Sequence, residues 1–322
     1  MKRKNRSKYG KFFREVEVVH GLQSTAQDRE WLLSPPKDGV EQTDVVLYLG
    51  CNVLRTSHMI RTIVGIFKLL NLNFVTMGGG VYCCGNQAFQ NNDEQSGQAM
   101  AASTVRNFQK FQPERVVMWC PSCIYYYDDM MQMRETLSIQ HVTEFLLENL
   151  DRLEFQYQVK ANVALHYHTG RWLSDAEAKS AQELLSRIPG LNLIDIGTDP
   201  RFGRHCTEGV QAGMGPQNWD SMASEFFQKA VEADVDIYSN LYHGCHRMLC
   251  GYENDFPFKV EHYLTLVGRA LGIEHEDLFK KHMLMGDVDT IMLETSPCAV
   301  ANGIPEEEAR AAIQNSFGKK TG

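Results

Sequence analysis

Five cysteines in the first half of the chain have the type and spacing of a metal-binding site. After Cys51 come 31 residues, then the adjacent pair Cys83-Cys84, then 35 residues, then Cys120-x-x-Cys123. Thiolates are soft ligands that suit iron–sulfur clusters or zinc, and four of them satisfy either a zinc ion or a cubane cluster. Five thiolates fit neither well, so we expect the divergent side chains of Cys83 and Cys84 to bind or bridge different irons of one cluster. The alternative is a set of buried apolar cysteines.

Apolar periodicity predicts strands that end at these cysteines and helices between the strands. The predicted strands are Asp44–Gly50, Asn73–Met77, Arg115–Trp119, Ala161–Tyr167, Leu191–Ile196 and Val235–Tyr238. The predicted helices are Ser57–Leu70, Gly97–Phe111, Ile124–Arg134, Ser174–Ser186, Asp220–Glu232 and His243–Leu249. Alternation of strands and helices predicts parallel sheets, whose carboxyl ends carry the binding sites.

The same frame recurs in the second half. After Tyr167 come 37 residues, then His205-Cys206, then 35 residues, then Tyr242-x-x-Cys245, and from the cysteine pair onward the offset is 122 residues. We therefore predict an α/β fold of two pseudo-repeated modules with parallel sheets, cysteine loops at strand ends and a helical C-terminal tail. The predicted boundaries are an N-terminal extension at 1–43, a first module at 44–155, a second, degenerate module at 156–271 and the tail at 272–322.

The second half retains only Cys206 and Cys245, which leaves three alternatives for its site. It is an empty relic, or it holds another metal, or it is a substrate site. A second metal would draw on the nitrogen and sulfur ligands His166, His168, His205, Cys206, His243, Cys245, His246 and Cys250. The substrate-site alternative assigns Cys206, Cys245 and His205 as catalytic residues, with a thiol that carries sulfur or forms a mixed disulfide. Cys298, near the C-terminus, is expected to serve packing.

Bulk composition excludes several classes of function. The 322 residues carry a net charge of −8, which argues against nucleic acid as a partner. No apolar run is long enough for a membrane span and no signal peptide is visible, so we expect a cytoplasmic protein with reduced cysteines. The basic segment Met1–Arg14 is expected to be a solvated flexible arm, or an arm that docks on an acidic partner protein.

Three motifs resemble those of the CCG-domain family, which includes the CCG-bearing component of heterodisulfide reductase. They are LGC ending at Gly50-Cys51, YCCG at Tyr82–Gly85 and CPSC at Cys120–Cys123, while His168–Arg171 is similar to the family's C-H-x-G-R. The resemblance implies one noncubane [4Fe–4S] cluster per chain on Cys51, Cys83, Cys84, Cys120 and Cys123. In the family, two such clusters cleave or form a disulfide by single-electron steps. Here Tyr167, His205 and Tyr242 stand where the family has cysteines in its second site.

The resemblance also implies a role and partners. The chain would be the CCG-bearing component of a heterodisulfide reductase-like oxidoreductase that acts on sulfur groups, in cytoplasmic sulfur oxidation. Its partners would be a ferredoxin-like subunit, a flavin-containing subunit, and a sulfur-bearing substrate or carrier protein. The chain has neither a G-x-G-x-x-G fingerprint nor a ferredoxin-like cysteine run, so electrons would pass through those partners. The alternatives are a non-catalytic electron-transfer or scaffold protein, and a zinc-binding interaction protein.

Overall fold

The chain divides into two compact units. The computed structural model describes residues 4–33, 41–168, 175–203 and 206–318. The first unit comprises Met1–Gln140 with Asp277–Gly322, and the second comprises His141–Glu276. Most of the predicted N-terminal extension and helical tail therefore lies in the first unit, together with the five cysteines.

Eight strands and sixteen helices occupy the described part of the chain. The strands are β1 (Val45–Gly50), β2 (Phe74–Gly78), β3 (Arg115–Met118), β4 (Ile139–His141), β5 (Ala161–His166), β6 (Leu191–Leu193), β7 (Ile237–Asn240) and β8 (Lys259–His262). The helices are α1 (Lys4–Leu22), α2 (Glu30–Leu33), α3 (Ser57–Leu69), α4 (Asn86–Gln90), α5 (Glu94–Lys110), α6 (Pro121–Tyr125), α7 (Arg134–Leu137), α8 (Val142–Glu148), α9 (Asp175–Ser186), α10 (Glu208–Met214), α11 (Pro216–Glu232), α12 (His243–Leu249), α13 (Tyr263–Leu271), α14 (Leu278–Met285), α15 (Val288–Ala301) and α16 (Glu306–Phe317). Among these helices, none is both long and apolar enough to cross a bilayer.

The first unit is built on a four-stranded sheet in the order β2-β1-β3-β4. β1 pairs in parallel with β2 and β3, so that Val45 lies opposite Phe74 on one side and Arg115 on the other. Every residue of β1 is buried, as expected for an apolar run at the centre of a parallel sheet covered on both faces. The strand order reverses between β1 and β3, and open α/β sheets bind their ligands at such a point.

The second unit repeats this topology. Its sheet has the order β6-β5-β7-β8, with β5 parallel to β6 and β7, and β7 parallel to β8. The predicted α/β fold with two parallel sheets and a helical C-terminus is thus confirmed. The final helix begins directly after Pro305 and has three glutamates in its first turn.

The basic N-terminus differs from the prediction of a flexible arm. From Lys4 the described chain is helical, and Tyr9, Val16 and Val19 on α1 are buried. α1 packs against α16 and against a 3-10 turn, Asn52–Arg55, that follows Cys51. Apolar side chains at helical spacing anchor this segment, which composition alone does not reveal.

Arg55 ties both ends of the chain to the turn after Cys51. Its guanidinium donates to Glu15 Oε1 on α1 at 2.7 Å and to Ser316 Oγ on α16 at 3.2 Å. The same side chain donates to Asn52 Oδ1 at 3.2 Å within the turn. The terminal helices therefore support the segment that presents the first cysteine.

The predicted helix Ile124–Arg134 is interrupted. α6 ends at Tyr125, a wider π turn covers Tyr126–Met130, and α7 begins at Arg134. Tyr126 and Tyr127 are both buried in the core that also contains Cys84 and Cys123. Both rings belong to the first two residues of the π turn.

Candidate metal centres

The five cysteines of the first unit lie at the carboxyl edge of its sheet. Cys51 directly follows β1, Cys83 and Cys84 follow a 3-10 turn after β2, and Cys120 and Cys123 belong to the start of α6 after β3. The loops that carry them therefore border the position where the strand order reverses.

These five thiols form one continuous chain of side-chain contacts. The Sγ atoms of Cys84 and Cys123 lie 3.3 Å apart. Neighbouring thiols also shift one another's pKa: Cys83 shifts that of Cys51, Cys84 that of Cys83, and Cys123 that of Cys120. All five are free cysteines. As a donor set they fit an iron–sulfur cluster, which uses several thiolates on different irons, better than a single zinc ion, which takes four ligands.

Glycines allow the backbone to approach this group closely. Gly50 has φ +74°, and a Cβ built on it would lie 3.4 Å from Cys123 Sγ. Gly85 has φ +87°, and its Cβ would lie 2.2 Å from the Gly97 carbonyl oxygen. The Gly85 N–H donates to Cys83 Sγ at 3.3 Å. The cysteine loops therefore depend on glycine both for the left-handed conformation and for space.

Two buried hydrogen bonds fix the ends of the cysteine loops. The Tyr48 hydroxyl on β1 donates to the Tyr82 carbonyl at 2.7 Å, just before the cysteine pair. The Trp119 indole N–H donates to the Leu49 carbonyl at 3.0 Å, which joins the ends of β3 and β1. Both bonds hold cysteine-bearing segments to the central strand.

The five cysteine residues differ in burial. Cys83, Cys84 and Cys123 are buried, whereas Cys51 and Cys120 are half-buried. Hydrogen bonds to neighbouring thiols, together with burial, raise the pKa of Cys51 and Cys123 well above the ordinary value. Hydrogen bonds from Cys51 and Cys84 hold the pKa of Cys83 well below it. One thiolate thus suppresses ionisation of its neighbours, and a bound cation would be needed for all five to ionise.

The second unit has a compact group of four buried side chains at the same edge of its own sheet. His166, His168, Cys206 and Cys245 each offer a ligand atom, and these atoms all lie within 4.8 Å of one another. His166 ends β5 and His168 follows two residues later, while Cys245 lies on α12 after β7. Side chains alternate along an extended chain, so His166 and His168 share a face that Tyr167 between them does not.

Of the other predicted residues of the second site, those that the structure describes lie outside this group. His205, one of the three predicted catalytic residues, lies outside the described residues, as do residues 169–171 of the family-like segment. Tyr242 donates its hydroxyl to Glu177 Oε2 at 2.8 Å, and burial together with the Glu177 charge holds its pKa well above the usual range. Tyr242 therefore stays protonated as a hydrogen-bond donor. His243, His246 and Cys250 are buried around α12, and the compact group includes none of them.

Both predicted catalytic cysteines of the second unit are buried away from solvent. Cys206 is 1% exposed and Cys245 0%. Burial, then the contact with Cys245, raises the pKa of Cys206 well above its ordinary value. Burial also opposes ionisation of Cys245, yet the Cys206 hydrogen bond and the His168 charge outweigh it and hold that pKa well below the ordinary value. Their assignment as substrate-reactive residues stays a prediction.

Comparison with known proteins locates the resemblance. Residues 45–126 match the CCG family, described as a cysteine-rich domain, and this range contains all five cysteines of the first unit. The chain is also similar to the EtfAB:quinone oxidoreductase of Syntrophomonas wolfei, with 24% identity over 186 residues. That match covers 56% of this chain and 26% of the relative, so the chain spans about a quarter of the relative's length.

Proposed function

We propose that the first unit holds one iron–sulfur cluster on Cys51, Cys83, Cys84, Cys120 and Cys123, and that the chain is an electron-transfer component of an oxidoreductase. The observation that carries this proposal is the unbroken chain of five thiols at the carboxyl edge of the sheet. By family resemblance the cluster is a noncubane [4Fe–4S] cluster.

The contacts of the adjacent cysteines support ligation of different irons. Cys83 contacts Cys51, whereas Cys84 contacts Cys123. Neighbouring residues thus engage thiols from different loops, as expected if each holds a separate metal ion. A cluster bound there would supply one-electron transfer. The protein's part is to fix the sulfurs on the strand ends, to donate the Gly85 N–H to one sulfur and to exclude water from the buried side.

Partner proteins belong to the same proposal. The residues Cys51 and Cys120 are half-buried whereas the other three are buried, so the site lies nearest to solvent on their side. Val81, 71% exposed in the turn before Cys83, offers an apolar contact beside it. We assign this side to a ferredoxin-like subunit, which exchanges electrons with a flavin-containing subunit in a cytoplasmic, heterodisulfide reductase-like complex. The substrate would be a sulfur compound or its carrier protein.

Replacement of single cysteines tests the cluster. The full chain, purified anaerobically, should contain about four irons with acid-labile sulfide. Cys83→Ala and Cys84→Ala should each lower the iron content and change the paramagnetic signal of the reduced protein. Cys298→Ala is the matched control in the same unit, because Cys298 on α15 is outside the thiol chain, and it should retain both.

Two results would contradict the proposal. Wild-type iron content and an unchanged paramagnetic signal in both Cys83→Ala and Cys84→Ala would exclude the five-thiolate site. Zinc in place of iron in the first unit, without sulfide, would favour an interaction protein over an electron-transfer protein.

A further inference from the structure

The compact group in the second unit has the ligand set of a single-metal site. We propose that His166, His168, Cys206 and Cys245 bind one Zn²⁺ in a closed, structural site. The proposal is independent of the iron–sulfur cluster, because the ligands belong to the other unit and to another sheet.

The distances between ligand atoms agree with tetrahedral zinc. With Zn–S of about 2.3 Å and Zn–N of about 2.0–2.1 Å, a tetrahedral angle separates sulfur and nitrogen by about 3.6 Å. His168 Nε2 lies 3.1 Å from Cys245 Sγ and 3.6 Å from Cys206 Sγ, and His166 Nε2 lies 3.3 Å from Cys206 Sγ. These three distances are thus within about 0.5 Å of the tetrahedral value, and all four ligand atoms lie within 4.8 Å of one another.

The hydrogen bonds behind the histidines prepare both Nε2 atoms for a metal. His168 Nδ1 lies 3.0 Å from the Gly203 carbonyl oxygen, which can only accept, so Nδ1 carries the proton and Nε2 of the neutral ring has its lone pair free. His166 Nδ1 lies 2.7 Å from the Tyr238 hydroxyl oxygen, which can accept the Nδ1 proton when Nε2 binds a metal. Metal-binding histidines usually have such a partner on the second ring nitrogen, because it fixes the tautomer and the ring orientation.

Charge and burial favour zinc in a closed site. Two thiolates and two neutral imidazoles around Zn²⁺ have no net charge, so the complex can lie among fully buried side chains without an unpaired ion. Binding releases the protons that the ligand set carries to solvent and involves no redox step. Four protein ligands leave no open position for water or substrate, which distinguishes this assignment from a substrate pocket.

The arrangement also argues against a two-iron cluster with the same four residues. Such clusters bind both histidines to one iron and both cysteines to the other, which separates the nitrogen and sulfur ligands. Here each cysteine sulfur lies within 3.6 Å of a histidine nitrogen, and the four ligand atoms all lie within 4.8 Å of one another.

The repeat shows how the two halves differ. With the offset of 122, Cys206 and Cys245 correspond to Cys84 and Cys123, which are in direct contact in the first unit. The second unit thus keeps one pair of neighbouring thiols, with sulfurs within 4.8 Å of each other, and the two histidines at the end of β5 complete a four-ligand set. The structure assigns a metal to the half that lacks three of the five motif cysteines.

The test uses the full chain, grown with zinc and iron and purified anaerobically. Elemental analysis should find about one zinc per chain in addition to the iron. X-ray absorption at the zinc edge should show two sulfurs at about 2.3 Å and two nitrogens at about 2.0 Å. This measurement needs no variant, so it holds even if a substitution prevents folding.

Matched variants add a second line of test. Cys245→Ser should abolish stoichiometric zinc and leave the iron content unchanged, whereas Cys250→Ser, at another buried cysteine five residues away, should retain zinc. Tyr238→Phe, which removes only the hydroxyl behind His166, should weaken zinc binding about 10–100-fold in competition with a chelator. Loss of iron in Cys83→Ala with zinc intact would leave this proposal standing.

Several outcomes would overturn the zinc assignment. They are a wild-type protein that takes up no zinc, zinc retained fully in Cys245→Ser, an absorption spectrum without two sulfur ligands, and additional iron and sulfide lost in Cys245→Ser. Labelling of Cys206 or Cys245 by an alkylating agent in zinc-supplied protein, slowed by a sulfur compound and not by chelation, would restore the substrate-site alternative.

Discussion

Gly85 provides the sharpest test of how the fold supports the first site. It follows the adjacent cysteines, has φ +87° and ψ −5°, and donates its N–H to Cys83 Sγ. A Cβ at this position would lie 2.2 Å from the Gly97 oxygen and 2.8 Å from the Gly97 carbon atoms. All three atoms belong to backbone, so no side-chain rotation can relieve the overlap.

Two effects add up in Gly85→Ala. The left-handed conformation costs an L-residue about 1–2 kcal/mol, and displacing packed backbone costs about 1–3 kcal/mol. We expect Gly85→Ala to lower the free energy of unfolding of the first unit by about 2–5 kcal/mol. Because the loop must move away from Gly97, Cys83 moves with it, and iron loading should fall as well.

Gly303→Ala is the matched control. Gly303 lies in the same unit with φ +61°, and a Cβ there would have no atom within 4 Å. It therefore carries the conformational cost without the overlap, and it should keep its iron. Urea unfolding of anaerobic protein, followed by circular dichroism, compares the two variants in the same transition. Stabilities that agree within about 0.5 kcal/mol, with equal iron content, would refute the close-approach argument.

Two further predictions concern buried polar side chains, one in each unit. Burial, assisted by the nearby Arg29 charge, lowers the pKa of His20 to about 3. Below pH 6.5 the His20 ring takes up a proton in the unfolded chain but stays neutral in the folded protein. The stability that the neutral buried ring contributes is therefore complete above pH 6.5 and is lost as the pH falls towards 3. Between pH 7 and pH 4.5 this effect removes about 2.5 kcal/mol from the free energy of unfolding. Urea titrations at both pH values should show a loss in His20→Asn that is smaller than in the wild type by this amount. Equal losses in the two proteins would disprove the assignment. Tyr242→Phe should destabilise the second unit by about 1.5–3 kcal/mol, because the Glu177 carboxylate loses a buried hydrogen-bond donor. Elemental analysis of this variant should still find the zinc. Loss of zinc would instead make Tyr242 part of the metal site.

The sequence predicted the sheets well because their signal is local. Apolar runs such as Asp44–Gly50 and Arg115–Trp119 form the central strands, with ends shifted by one residue. The edge strands β4 and β8 were missed. They are three and four residues long, and Gln140 and Glu261 interrupt their apolar character, so neither run stands out from a loop.

The N-terminal segment was predicted wrongly for a different reason. Its seven basic residues dominate the composition, whereas the residues that anchor it are a few apolar side chains at helical spacing. Tyr9, Val16 and Val19 are buried, and the Phe13 ring lies where a Cβ on Gly80 would fall. A search for the helical period within the basic stretch would have identified a docked helix.

For the sites, the sequence predicted ligand types better than ligand groupings. It named His166, His168, Cys206 and Cys245 among eight possible ligands of the second unit, but spacing could not select these four. Selection depends on tertiary contacts, such as the Tyr238 hydroxyl behind His166 and the Gly203 carbonyl behind His168. The period of two along an extended chain was the available signal, because it places His166 and His168 together and directs Tyr167 away.

Comparison of the two units shows which features of the sites depend on the backbone fold and which depend on the side chains at the motif positions. Both sheets have the same strand order, and both bring one cysteine from the loop after an outer strand close to one from the first helix after an inner strand. That thiol pair follows from the backbone, since it recurs with a constant offset in both halves. The remaining positions decide the chemistry. In the first unit, three more thiols at the sheet edge make a set of five sulfurs, which suits a redox cluster. In the second unit, two histidines on one face of the strand end make a closed set of four ligands for one redox-inactive ion. If both proposals hold, electrons pass through the first unit alone, and the second unit uses the same edge for stability.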